Sequence, residues 1–258
     1  MDFGLAEKTA LVTGGAGRIG SEDCRVLAAE GATVVVLDLE AEAAETVADE
    51  IRESGGTAHA VTCDLTDRGD VKDTVSALRK ETGGIDILVN NAGLVDAQSQ
   101  LKDYDDEKWD LDVDVNLTGA YNISREVFPA MCERGWGRVI NMSSMAGWYG
   151  GFGQASYAAT KAALIGFGKT MALEGARNGV TCNIITPNIV MDALADLSSE
   201  ELAATNPMFE RIRKATPMQK LGRERDVSNL IAYLSSEQAS YITGQVIGVT
   251  GGIDLFSF

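Results

Sequence analysis

Short runs rich in β-branched residues alternate with longer segments of helical periodicity from Thr9 to Val249, and this alternation constrains the fold more than any other feature of the chain. When a helix follows each strand, the next strand returns to the sheet parallel to the last, because the helix carries the chain back across the sheet's face. The strand-like runs are Thr9 to Thr13, Thr33 to Leu37, Ala58 to Thr62, Ile85 to Val89, Arg138 to Met142, Thr181 to Ile185 and Val246 to Val249. Between them, helical periodicity marks Ile19 to Glu30, Ala41 to Ser54, Val71 to Thr82, Leu117 to Arg134, Tyr157 to Ala176 and Asp226 to Leu234. The pattern predicts an α/β fold: a doubly wound, mostly parallel seven-stranded sheet with helices on both faces. With 258 residues, 45% of them hydrophobic, the chain can bury one sizeable core, and a single domain over 1–258 is expected. The alternation breaks between Val190 and Pro217, where Pro207 and Pro217 flank an expected helix. A segment of that length in a compact domain is usually functional, so a substrate lid is expected at about 190–217.

The first strand runs into a glycine-rich turn, Thr13-Gly14-Gly15-Ala16-Gly17-Arg18-Ile19-Gly20, which opens the first helix. Backbone N–H groups of such a turn face an anion with the positive end of the helix behind them, which suits a pyrophosphate. The second strand ends in Asp38, 18 residues after Gly20. A carboxylate there accepts both hydroxyls of a nucleotide ribose and repels a 2′-phosphate, so NAD is expected in preference to NADP. The same side chain can also cap the helix that follows.

Tyr157 precedes Lys161 by four residues, which on a helix puts phenol and ammonium on one face. A phenol ordinarily titrates near pH 10, and a neighbouring cation favours its phenolate, so the pair reads as a proton-transfer site. Other chemistries lack their residues. His59 is the only histidine and lies in a strand run with nothing around it to build a triad. Cys24, Cys63, Cys132 and Cys182 are widely spaced and read as small core residues of a reducing compartment, with no ligand cluster for a metal. A formal charge of −16 argues against a nucleic-acid or anionic-membrane surface. The uncharged stretch between Arg138 and Lys161 is too rich in Gly, Ser, Asn and Gln to span a bilayer. The opening residues, Met1 to Lys8, lack the basic and apolar regions of a secretory signal, so a cytoplasmic location is expected.

Further motifs follow in order: Cys63-Asp64-Leu65, Asn90-Asn91-Ala92-Gly93, and then Asn116, Ser144, Tyr157 and Lys161, with Ser144 13 residues before Tyr157 and Asn116 28 before Ser144. In this set and its spacing, essentially along its whole length, the chain resembles the short-chain dehydrogenase/reductase family. The resemblance implies a Rossmann fold and an oxidoreductase in which Tyr157 is the general acid/base. Lys161 would favour the phenolate and bind the nicotinamide ribose. Ser144 would hold the substrate oxygen, and Asn116 a water that links Lys161 to solvent. It further implies cofactor contacts at Gly14, Arg18, Ile19, Asp38, Asp64, Leu65, Asn91, Ala92, Gly93, Tyr157, Lys161, Pro187 and Val190. A homo-oligomer, commonly a tetramer in this family, is expected too, and the apolar C-terminal residues 253–258 could pack at its interface or on their own core.

Three positions depart from the family's pattern. Arg18 replaces the central glycine of the turn, Asn188 follows Pro187 where glycine is usual, and Asp192 stands where a threonine often contacts the carboxamide. Arg18 could contact a phosphate, cover the adenosine or point to solvent, whereas Asn188 could take the left-handed backbone. From Glu210 to Asp226 six basic residues face three acids. One reading is a site for an anionic substrate, and the other a solvated lid with ordinary ion pairs. Met191, Leu194, Leu197, Met208 and Phe209 are apolar enough to cover a ring or chain, and Trp148 and Tyr149 follow Ser144 closely enough to line a pocket. The leading expectation is an NAD-dependent oxidoreductase interconverting a small-molecule secondary alcohol and a ketone. An NADPH-dependent 3-oxoacyl (ACP or CoA) reductase is the alternative, with sugar or cyclic hydroxyacyl-CoA dehydrogenases alongside it. A binding module that senses NAD is the reading from outside enzymology.

Overall fold

All seven apolar runs form strands. In a computed structural model describing residues 3–95 and 98–255, they assemble into one parallel sheet in the order β3-β2-β1-β4-β5-β6-β7. The strands are β1 Thr9–Thr13, β2 Thr33–Asp38, β3 Thr57–Thr62, β4 Ile87–Asn90, β5 Gly137–Met142, β6 Val180–Pro187 and β7 Val246–Val249. Helices α1 Arg18–Ala29, α2 Ala41–Glu53 and α3 Arg68–Thr82 make the first three crossovers, and α5 Gly119–Arg134 and α7 Ala155–Gly175 the later ones. Residues that alternate along each strand are buried on opposite faces of the sheet, as the period of two requires. Ala10, Val12, Val34, Val36, Ile140 and Ile185 pack with α1, α2 and α11 Glu224–Leu234. Leu11, Val35, Leu37, Leu88, Val139 and Cys182 pack with α3, α5 and α7. All four cysteines are free, and burial pushes the thiols of Cys63 and Cys182 up to about 11 and about 12, as for packed core groups.

The helix expected from Leu117 starts a full segment earlier. Helix α4 Asp106–Val113 runs through a π-helical turn, Asp114–Thr118, directly into α5. Asp105 caps it by accepting the Glu107 N–H. The acidic run around it hides the apolar period that would have marked it in sequence. A short α6, Met145–Tyr149, follows β5. The 190–217 segment holds three short helices, α8 Asp192–Ala195, α9 Ser199–Thr205 and α10 Pro207–Ala215. Leu194 and Leu202 bury there with Leu221, and Met191, Leu197 and Phe209 pack on them. These residues therefore form a small core of the segment's own, leaving Met208 exposed. Among the described residues no helix is long and apolar enough to cross a membrane. In the C-terminal stretch Leu255 is exposed and residues 256–258 lie outside the described residues.

Candidate active site

Because every strand is parallel, the C-terminal ends of β1, β2, β4, β5 and β6 share one edge of the sheet. The strand order reverses between β1 and β4, and at such a point the flanking helices diverge and leave a crevice. The glycine-rich turn crosses this crevice. A Cβ on Gly20 would lie 2.1 Å from the Gly14 carbonyl oxygen and 2.7 Å from the Asn91 amide nitrogen, so only glycine lets α1 begin this close to the strand. Asn91 donates to the carbonyls of Thr13 and Gly14 (3.1 Å each), and the Thr13 hydroxyl accepts from the N–H groups of Asn91 and Ala92. The Asn91-Ala92 segment thus clamps the turn from the neighbouring strand.

No side chain caps α1, so the N–H groups of its first turn, at Arg18, Ile19 and Gly20, are presented to an anion. At the end of β2 the Asp38 carboxylate accepts the Ala16 N–H (2.9 Å) on one oxygen and the Leu39 N–H (2.8 Å) on the other. It therefore braces the turn and the residues that lead to α2, but it does not cap that helix, whose N-cap Glu40 has no side-chain cap bond. Asp64 Oδ1 accepts from the N–H and hydroxyl of Thr66, and Leu65 is buried against Gly119 with its carbonyl accepting from Asn122. An uncapped helix end, a glycine cradle and a carboxylate at the second strand's tip fit a dinucleotide.

Further along the crevice, Ser144 ends the β5 loop and caps α6, accepting the Ala146 N–H at 3.1 Å. Ser144 is near enough to favour the Tyr157 phenolate, and Lys161 Nζ lies 5.7 Å from the centroid of the Tyr157 ring. Ser143, the neighbour of Ser144, donates to the Lys161 carbonyl at 2.6 Å and ties α7 to the end of β5. Lys161 is 4% exposed, and its ammonium donates to the Met142 carbonyl at 2.9 Å. Burial pulls its pKa down to about 8, while the Tyr157 phenol is pushed above its ordinary value, chiefly by burial. Asn116 sits in the π-helical turn, where the wider backbone projects its amide inward. It accepts the Leu94 N–H (2.6 Å) and donates to the Leu94 carbonyl (3.0 Å). A Cβ on Gly93 would be 3.0 Å from both Asn116 Oδ1 and Lys161 Nζ, so this glycine lets the two approach. Asn116, Ser144, Tyr157 and Lys161 therefore converge from α5's leading turn, the β5 loop and α7.

The three departures resolve differently. Arg18 Nη1 donates to the Val190 carbonyl at 3.0 Å and lies 3.4 Å from Glu224 Oε1, so its guanidinium ties α1 to the start of the 190–217 segment while the side chain remains exposed. Pro187 ends β6, and buried Val190 bridges to Gly222. Asn188 has no positive φ; its N–H donates to the Val249 carbonyl. The Asp192 N–H donates to Glu224 Oε2 at 2.7 Å while its carboxylate pairs with Arg223. The basic run is largely neutralised in place: Arg213 and Lys214 pair with Glu210, Arg223 also with Asp196, and Arg225 with Glu22. Trp148 and Tyr149 meet edge to face, with the Tyr149 hydroxyl donating to the Asp254 carbonyl. His59 stands apart, beside Glu81. Sequence reading overlooked Glu224 and the buried Asp112, which hydrogen-bonds Ser156 next to Tyr157. For Asp112 the signal was its position four residues before Asn116, which puts both on one helical face.

A parallel sheet with a dinucleotide cradle beside a Ser–Tyr–Lys cluster defines a nicotinamide-dependent oxidoreductase acting on a CH–OH group. Residues 8–202 match the short chain dehydrogenase family, and the chain belongs to it. It is 37% identical over 251 residues to nodulation protein G of Rhizobium meliloti, covering 97% of this chain and 98% of that protein. It is 36% identical over 247 residues to a 3-oxoacyl-(acyl-carrier-protein) reductase of Staphylococcus aureus, covering 95% and 98%. The crystal structure of an NAD+-bound xylitol dehydrogenase superposes with a TM-score of 0.88 at 28% identity, over 96% of this chain and all of the other.

Proposed function

We propose that this protein is an NAD-dependent dehydrogenase that interconverts a secondary alcohol and a ketone. The observation that carries the chemistry is the Tyr157 phenol beside Ser144, its ring centroid 5.7 Å from the buried Lys161 ammonium. Bound nicotinamide supplies the hydride acceptor or donor. Ser144 and Tyr157 hold the substrate oxygen. In oxidation Tyr157 takes the hydroxyl proton, and in reduction it returns one. The Lys161 charge lowers the cost of the phenolate, Asn116 orders a water that reaches Lys161, and the 190–217 segment is the lid over the substrate.

Asp38 supports NAD as the cofactor, since its carboxylate at the tip of β2 repels a 2′-phosphate, and Arg18, held by Val190 and Glu224, is spent elsewhere. A second reading, reduction of a 3-oxoacyl thioester, is favoured by the near full-length likeness to the Staphylococcus aureus protein of that name. A panel of secondary alcohols, polyols and hydroxyacyl thioesters, read by nicotinamide absorbance with NAD and NADP, separates the two. Faster turnover with NADP would overturn the cofactor assignment. In Asp38→Asn the preference for NAD should shrink about tenfold, as when roughly 1.4 kcal/mol of discrimination is lost.

We also take the working unit to be a homo-oligomer, a tetramer, acting on a small molecule. Helix α7 supports this: Ala159, Ala162, Gly166 and Leu173 face outward on it, with Lys169, Thr170 and Glu174 toward its end, and an exposed apolar patch of that kind is expected where a partner covers it.

A further inference from the structure

Glu224 opens α11 and is 4% exposed, yet its carboxylate makes no hydrogen bond within its own helix. There the Arg223 N–H is answered by Asp226 Oδ2 at 2.9 Å. Glu224 reaches two other elements instead. Its Oε2 accepts the Asp192 N–H at 2.7 Å and so caps α8 from outside, because Met191, the residue at that helix's own N-cap, makes no side-chain cap bond. Its Oε1 is buried without a hydrogen bond and lies 3.4 Å from Arg18 Nη1. A buried carboxylate of this kind is tolerated when a cation answers it.

The other charges at this junction are matched among themselves. Asp192 pairs with Arg223, and Glu22 with Arg25 and Arg225. Among the described residues, therefore, Glu224 is the one carboxylate paired with Arg18, and Arg18 the one cation paired with Glu224. The same Arg18 Nη1 donates to the Val190 carbonyl, and the backbone around Val190 is pinned to Gly222 by the Met191 N–H to the Gly222 carbonyl (2.9 Å) and the Gly222 N–H to the Ile189 carbonyl (3.2 Å). A groove of about 300 Å³ separates α1 at Ser21 from the head of the 190–217 segment at Met191 and Ala193. Across it the link between the two is polar, and Arg18 with Glu224 makes it.

We propose that Glu224 is a positioning residue that fastens the lid to the dinucleotide turn. Arg18 contributes its backbone N–H to the uncapped first turn of α1 and its guanidinium to the head of the lid, so ordering one orders the other. The coupling to cofactor rests on the dehydrogenase reading above, whereas the fastening itself is read on the free protein. Hydrogen exchange of the full-length protein, followed by mass spectrometry, reports opening of the amides of 194–205. In Glu224→Gln, which keeps an acceptor for Asp192 but loses the charge that meets Arg18, these amides should exchange about fivefold faster or more. Arg18→Met should have the same effect, the two changes together no more than one alone, and Arg18→Lys should restore most of the protection. If Glu224→Gln does not fold, Arg18→Met, at a side chain 53% exposed, carries the same expectation. Unchanged exchange in a folded variant, or additive effects of the two changes, overturns the proposal even where the melting temperature has fallen. With NAD bound the native lid should exchange more slowly, and calorimetry should show weaker NAD binding in Glu224→Gln, since coupling between two sites is reciprocal. Equal protection by NAD in native protein and Glu224→Gln overturns the coupling. Binding of neither NAD nor NADP counts against the dehydrogenase reading and leaves exchange in the free protein to decide this one.

Discussion

At the residue scale, spacing along the chain anticipated which side chains meet, because a helix converts an offset of four into a shared face and the ends of parallel strands share one edge. Tyr157 and Lys161 needed only α7 to be brought together. Ser144 and Asn116 needed the sheet, which sets the end of β5 beside α7 and the π-helical turn. The environment that tunes them was not legible. Nothing in the order of residues says that Lys161 is buried, or that burial pulls its pKa down to about 8. Likewise Arg18 read as a phosphate ligand or a solvated side chain, and its partners, Val190 and Glu224, lie more than 170 residues away in sequence. Replacing Tyr157 by Phe removes one oxygen and leaves the cradle intact. Turnover should fall by a factor on the order of a thousand, with NAD affinity, measured by calorimetry, within about twofold of native. Unchanged turnover would remove Tyr157 from the proton path.

At the element scale, every strand was visible as an apolar run, whereas the helices that escaped notice were those stabilised by caps and tertiary packing. Helix α4 starts on the Asp105 cap and is rich in acids, and α9 rests on a capping box between Ser198 and Glu201. The pairing of α1 with α11 carries a cost that sequence does not reveal. Asp23 is fully buried between them, accepts from the Ser228 hydroxyl at 2.6 Å and leaves Oδ2 unpartnered. Burial raises its pKa to about 7. With the folded value above the unfolded one, the native state binds more protons between about pH 4 and about pH 7, so this group's contribution falls as pH rises through that window. The α1–α11 contact is therefore strained most above pH 7. Asp23→Asn should melt several degrees higher than native at about pH 8 and show little gain at about pH 4, by scanning calorimetry. An equal gain at both values would show that ionisation of Asp23 is not the cause.

At the scale of the whole molecule, the outward side of α7 makes the oligomer testable. Light scattering should report a particle several times the mass of one 27.3 kDa chain. Gly166→Glu, placed on the exposed side of α7 where no neighbouring atom lies within 4 Å of a new Cβ, should reduce it to smaller species without unfolding them. A native protein that is monomeric throughout would remove the expectation. By itself the sequence determined the parallel sheet, its crossover helices, the phosphate turn and the order of the reactive residues, because each follows from periodicities and spacings that act within one or two elements. Only the tertiary structure decided that the apolar residues of the 190–217 segment bury with Leu221, that Arg223 and Arg225 pair with Asp196 and Glu22, and that Arg18 and Glu224 meet at the start of that segment. Burial and charge pairing depend on which distant segments come together, and no local pattern carries that information.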